Sequence, residues 1–167
     1  MRQTILAHSH AAVPGPAPRW RTPRRAEGDR APGRGAATGG APAPRWRDGL
    51  AGRRILLVED ELMLALEVQM TLEDEGALVI GPVDDLARGL ALLDREAAFD
   101  AAILDIDLHG EDVFPLAERL HARGVPFLFH TGHGDREDLS RRFRDVPVCI
   151  KPVLSERIVE VLGSLLA

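Results

Sequence analysis

Five positions carry side chains suited to phosphoryl chemistry: the acid pair Glu59 and Asp60, then Asp105, Thr131 and Lys151. Each follows a short apolar run, residues 55–58, 101–104, 125–129 and 146–150, of the kind that forms a strand buried on both faces. If those runs lie side by side, acids, hydroxyl and amine meet at one sheet edge. Three carboxylates there repel one another unless a cation neutralises them, and hard oxygen donors with room for water suit Mg²⁺ or Mn²⁺. A carboxylate can attack phosphorus in line when a cation and an amine absorb the charge on the phosphoryl oxygens. Asp105 is the candidate nucleophile.

The neighbours of these residues add detail. Asp107 can face a cation through its side chain or offer only its backbone carbonyl. Thr131 can donate its hydroxyl to a phosphoryl oxygen, and Gly132 beside it allows close backbone approach. Lys151 is the single lysine among 21 basic residues, a compact point charge able to reach a phosphate or carboxylate. Pro152 fixes the chain just beyond it and is a candidate for a cis bond. His109, His130 and His133 are expected to be solvated loop residues, because their spacing enforces no shared face and no cysteine partners them.

The elements that must position these groups alternate strictly. After the strand at 55–58, Leu64, Val68 and Leu72 recur every fourth position until Gly76, the period of a helix with one buried face. A strand at 77–80 leads to the candidate caps Asp84 and Asp85 and a helix carrying Leu86, Leu90, Leu93 and Ala97. The strand at 101–104 precedes a helix whose face is Val113, Leu116, Ala117 and Leu120, ending near Gly124. The strand at 125–129 precedes a charged segment, 134–145, with only Leu139 and Phe143 to bury, expected to be the loosest element. The strand at 146–150 precedes a last helix with Ile158, Val161, Leu162 and Leu165 on one face. Five such units imply an α/β fold, a five-stranded parallel sheet doubly wound by helices on both faces. Such sheets bind ligands at the carboxyl ends of their strands.

Composition bounds the remainder. The 167 residues suffice for one domain. Residues 1–52 hold nine arginines against Glu27, Asp29 and Asp48, a net of +6, while the rest carries twelve basic and 23 acidic residues, a net of −11. The first part is rich in Pro, Gly, Ala and Arg and has no helical or strand period, so residues 1–52 read as a disordered tail and 53–167 as the folded domain. Trp20 and Trp46 in that tail could stack on bases, the feature a nucleic-acid-binding arm would use. Cys149 sits in an apolar run and reads as a small buried residue. With no disulfide framework, no secretory signal and no apolar run long enough to span a bilayer, a cytoplasmic location is expected.

Acid pair, Asp, Thr and Lys, in that order and each after its own strand, make the region from Arg53 onward resemble a response regulator receiver domain of two-component signalling, with a flavodoxin-like fold. The resemblance implies that Glu59 and Asp60 bind Mg²⁺ with Asp60 the closer ligand, that Asp107 lends the metal a main-chain oxygen and that Asp105 takes the phosphoryl group. Thr131 and Lys151 would then turn to that group. It implies a histidine kinase or histidine phosphotransferase as donor, and lifetime control at Asp107 and His133. Phe129-His130-Thr131-Gly132 is similar to a subset of single-domain receivers with a Phe-x-Thr-Gly sequence. Val148 stands where the family carries an aromatic switch residue, so the segment 134–145 is expected to order on phosphorylation instead. No DNA-binding output domain follows the last helix in these residues, so the expected output is a downstream protein partner docking on the domain.

Two other readings are distinguishable. Asp105 and Asp107 also match the Asp-x-Asp of phosphatases that form an aspartyl-phosphate, but those enzymes carry it after their first strand and place a further acidic pair after the lysine. Here the only acids after Lys151 are Glu156 and Glu160, on the last helix. A nucleic-acid-binding protein led by the basic arm would lose its affinity with residues 1–52.

Overall fold

A computed structural model of the chain describes residues 49–95, 98–132, 139 and 141–167. The expectations for Trp20, Trp46, Ala97 and His133, and most of those for segment 134–145, fall outside the described residues.

The chain runs β1 (Arg54–Val58), α1 (Leu62–Asp74), β2 (Leu78–Val83), α2 (Leu86–Arg95), β3 (Ala101–Asp105), a hairpin of β4 (Asp107–Leu108) and β5 (Glu111–Asp112), α3 (Phe114–Ala122), β6 (Phe127–Thr131), β7 (Val148–Ile150) and α4 (Ser155–Leu166). Five strands form one parallel sheet in the order β2-β1-β3-β6-β7. This is the doubly wound, flavodoxin-like fold. Its direction of winding reverses between β1 and β3, which opens a crevice at their carboxyl ends.

Period-two alternation divides the core. Leu56, Val58, Leu104, Phe127 and Phe129 join α2 and α3 on one face of the sheet. Ile55, Leu57, Ile103, Leu128 and Cys149 join α1 and α4 on the other. The helices start where local chemistry lets them. Oδ1 of Asp85 accepts the Arg88 backbone N–H at 2.7 Å and so caps α2, and Pro115 occupies the first turn of α3.

Strand bounds differ from expectation where proline or glycine intervenes. Pro126 and Pro147 have no N–H to donate, so β6 and β7 begin after them, and β6 runs on through His130 and Thr131. At the sheet edge β2 continues through Pro82 across a register irregularity. Gly81 allows this: its φ is +115°, and a Cβ there would lie 2.6 Å from the Leu57 carbonyl oxygen. The β4–β5 hairpin, unforeseen in the sequence, turns through His109 (φ +55°) and Gly110 (φ +89°).

Residues just upstream of Arg53 also contact the domain. Leu50 is fully buried against the α1 and α4 face, and the Gly52 N–H donates to the Gly76 carbonyl at 2.8 Å. Packing therefore reaches back to Leu50. Leu139 and Phe143 are buried as expected, Phe143 among Phe114, Phe127 and Phe129. No helix among the described residues is long and apolar enough to cross a membrane.

Truncating Leu50 to alanine should cost about 2–4 kcal/mol of stability by leaving a core cavity. Met63→Ala, on an exposed position of α1, should change it by less than about 0.5 kcal/mol. Urea unfolding measures both, and equal midpoints would place the packing boundary after residue 52.

Candidate functional site

The site forms at the carboxyl ends of β1, β3, β6 and β7. The alternation that divides the core also sorts the polar residues. Continued past the strand ends, it places Glu59, Asp105, His130 and Lys151 on the α1 and α4 side, and Asp60 and Thr131 on the other.

Lys151 is the centre of the first group. Its Nζ donates to Oε1 of Glu59 and to Oδ2 of Asp105, both at 2.6 Å. Its own backbone N–H donates to the Thr131 carbonyl at 2.7 Å, which ties the ends of β6 and β7 together. The Lys151-Pro152 peptide is cis. Oxygens of Glu59, Asp60 and Asp105 lie within 4.8 Å of one another. Glu59, Asp105 and Thr131 are buried and Asp60 is partly exposed.

Asp107 is not part of that cluster. Its side chain is exposed, and Oδ1 accepts the Gly110 N–H at 2.6 Å, which turns the hairpin. That oxygen is thus engaged within the hairpin and not with the acids. The same turn brings His109 over the acid pair: its backbone N–H donates to Oδ2 of Asp60 at 3.0 Å, and its Nδ1 lies 3.0 Å from that oxygen.

His130 corrects the expectation of a solvated loop histidine. It lies inside β6 with 1% of its surface exposed, because the strand runs two residues further than its apolar run. Its Nδ1 is 3.2 Å from Oε2 of Glu59. The sequence held the signal: in residues 127–131, alternation puts position 130 opposite Thr131, and register sets it beside Asp105 on one neighbour and Cys149 on the other.

The two buried acids diverge in charge behaviour. Burial alone would raise Glu59, but hydrogen bonds from His130 and Lys151 outweigh it and hold this carboxyl below its ordinary value. Burial lifts Asp105 to about 6, helped by the Glu59 charge and opposed by Lys151. Burial would lower Lys151, yet its bonds to Asp105 and Glu59 raise it. One ammonium therefore serves two carboxylates and leaves excess negative charge. The oxygen donors, their separation and that excess all fit a hard dication such as Mg²⁺.

The comparisons agree with this geometry. The family model for the response regulator receiver domain matches residues 55–161, and the chain belongs to that family, the receivers of two-component systems. It resembles the solution structure of SdrG from Sphingomonas melonis Fr1, with 40% identity and a TM-score of 0.60, covering 71% of this chain and 98% of that one. A response regulator receiver protein from Sinorhizobium medicae WSM419 is 29% identical, with a TM-score of 0.61, over 69% of this chain and 94% of that one. An uncharacterized transcriptional regulatory protein of Bacillus subtilis, YbdJ, is 31% identical over 90 residues, 53% of this chain. The match spans 39% of YbdJ.

Because Asp105 has a higher pKa folded, about 6, than its ordinary 3.8, the folded state binds more protons between these values. Metal-free wild type should therefore lose stability as pH rises from about 4 to 6, by on the order of 1–3 kcal/mol, and level off above. Asp105→Asn should lack that decline. Urea unfolding across this range in EDTA reads the difference, and parallel curves would contradict the raised pKa.

Proposed function

We propose that this receiver accepts a phosphoryl group on Asp105 from a phosphohistidine of a histidine kinase or histidine phosphotransferase, and signals through contact with a downstream protein. The carrying observation is the shared ammonium of Lys151, held at 2.6 Å from both Asp105 and Glu59. With Oδ2 of Asp105 held by Lys151, Oδ1 would be the attacking oxygen. The new O–P bond forms as the N–P bond of the donor breaks, and the imidazole leaves with the bonding electron pair. Lys151 then turns its charge to a phosphoryl oxygen, and Thr131 donates its hydroxyl to another.

Mg²⁺, when bound, supplies the charge neutralisation that brings an anionic phosphoryl group to an anionic carboxylate. Asp60 and Asp105 would hold it with the main-chain carbonyl of Asp107, and Glu59 would complete the acidic pocket. Mn²⁺ suits the same oxygens. Related SdrG from Pseudomonas melonis, 40% identical, was solved in a BeF3-activated conformation, and that beryllium group mimics a phosphoryl group. The protein acts as a phosphoacceptor whose only chemistry is self-catalysed transfer and loss of the group, in the cytoplasm. The small-molecule phosphatase reading gains nothing, since Asp105 ends the third strand and not the first.

Incubation with acetyl phosphate and Mg²⁺ should add one phosphoryl group to the intact mass. EDTA and Asp105→Asn should each abolish it. A phosphohistidine donor that also leaves wild type unmodified would overturn the proposal, and multiple turnover of a small phosphomonoester would favour the phosphatase.

Lys151→Met should slow adduct formation by at least about tenfold, the scale of losing one charge-stabilising donor. Quantifying adduct against time by mass spectrometry checks this, and an unchanged rate would remove Lys151 from the transfer step.

A further inference from the structure

We propose that His130 is a positioning residue whose Nδ1–H holds Glu59 and thereby sets how tightly the acid cluster takes up Mg²⁺. This rests on the receiver reading of the site and adds to it a residue outside the acid, hydroxyl and amine set.

Both oxygens of Glu59 are engaged. Oε1 accepts from Lys151 at 2.6 Å and lies 3.4 Å from the Glu61 backbone N–H, and Oε2 faces Nδ1 of His130 at 3.2 Å. Each side chain of the His130–Glu59 pair is 1% exposed, so water is a poor substitute for either. Geometry decides which ring nitrogen carries the proton. Nε2 is buried and has no hydrogen-bond partner among the described residues. A proton there would bury an unsatisfied N–H while turning the Nδ1 lone pair towards a carboxylate oxygen, two costs at once. Nδ1–H satisfies Glu59 and leaves only a lone pair at Nε2.

The consequence reaches the cation through shared partners. Glu59 and Asp105 hold the same ammonium, and Asp60 is bonded to Glu59 through the chain. With Oε2 unsupported, the buried carboxylate is free to rotate about its last bond, which shifts Lys151 and the oxygens facing the cation. Glu59 is one of the three acids whose oxygens cluster there, and loss of a partner that holds such an acid commonly affects metal affinity by about 10–100-fold.

Isosteres make this testable. Asparagine places its Nδ2 donor at the same bond distance from Cβ as Nδ1 of histidine, whereas leucine fills similar space without a donor. Calorimetric titration of the full chain with MgCl2 should show His130→Leu weakened by about tenfold and His130→Asn within about twofold of wild type. In a Glu59→Gln background, His130→Leu should have little further effect. Long-range ¹H–¹⁵N spectra of the metal-free wild type should show the Nδ1–H tautomer. The inference is overturned if wild type and His130→Leu bind Mg²⁺ equally, if leucine weakens both backgrounds alike, or if the proton sits on Nε2. Should His130→Leu fail to fold, the tautomer still decides. Absence of Mg²⁺ binding by wild type itself would instead overturn the receiver reading on which the inference depends.

Discussion

One ammonium shared by two buried carboxylates organises this molecule's functional end. Lys151 sits between Glu59 and Asp105, and three strands must end at the same level for that to happen. The pairing is also incomplete in charge: Asp60 adds a third carboxylate to a cluster with a single lysine. A buried ion pair with an uncompensated neighbour is weak evidence for stability. It is better understood as a site whose excess negative charge suits a cation.

The parallel sheet supplies the precision this requires. β1 and β3 are flanked on both sides by other strands, and their residues are buried almost throughout. Their carboxyl ends are therefore placed by two hydrophobic clusters and not by flexible loops. The period-two rule then does a second task. It sends Glu59, Asp105, His130 and Lys151 towards one face and Asp60 and Thr131 towards the other, so the pocket has two walls with different chemistry. One wall is an ion network. The other ends in Thr131, above the aromatic cluster of Phe114, Phe127, Phe129 and Phe143.

That cluster joins the end of β6 to α3 and to Phe143. Thr131 is two residues from Phe129 on the same strand face, and Phe129 packs on Phe143 with ring centroids 5.4 Å apart. Arg142 lies over the Phe114 ring at 4.6 Å and pairs with Glu118 of α3. Among the described residues after β6, Arg142 and Phe143 therefore meet β6 and α3 through aromatic rings.

Much of this was legible in the sequence, because apolar runs, helical period and the order of acid, acid, Asp, Thr and Lys report strand, helix and strand-end chemistry directly. Alternation of strand and helix determined the doubly wound sheet, and the strand ends determined which polar residues would converge. What only the tertiary structure decided were matters of partner and register. Leu50 lies in a glycine-flanked stretch with no period, and only its docking between α1 and α4 marks it as core. Asp107 could have turned either way until the Gly110 N–H claimed its carboxylate. His130 read as a loop residue because the apolar run stopped at Phe129, whereas hydrogen bonds to both neighbouring strands carried β6 two residues further. Local sequence reports what a segment prefers, but which donor meets which acceptor is settled by strands distant in the chain.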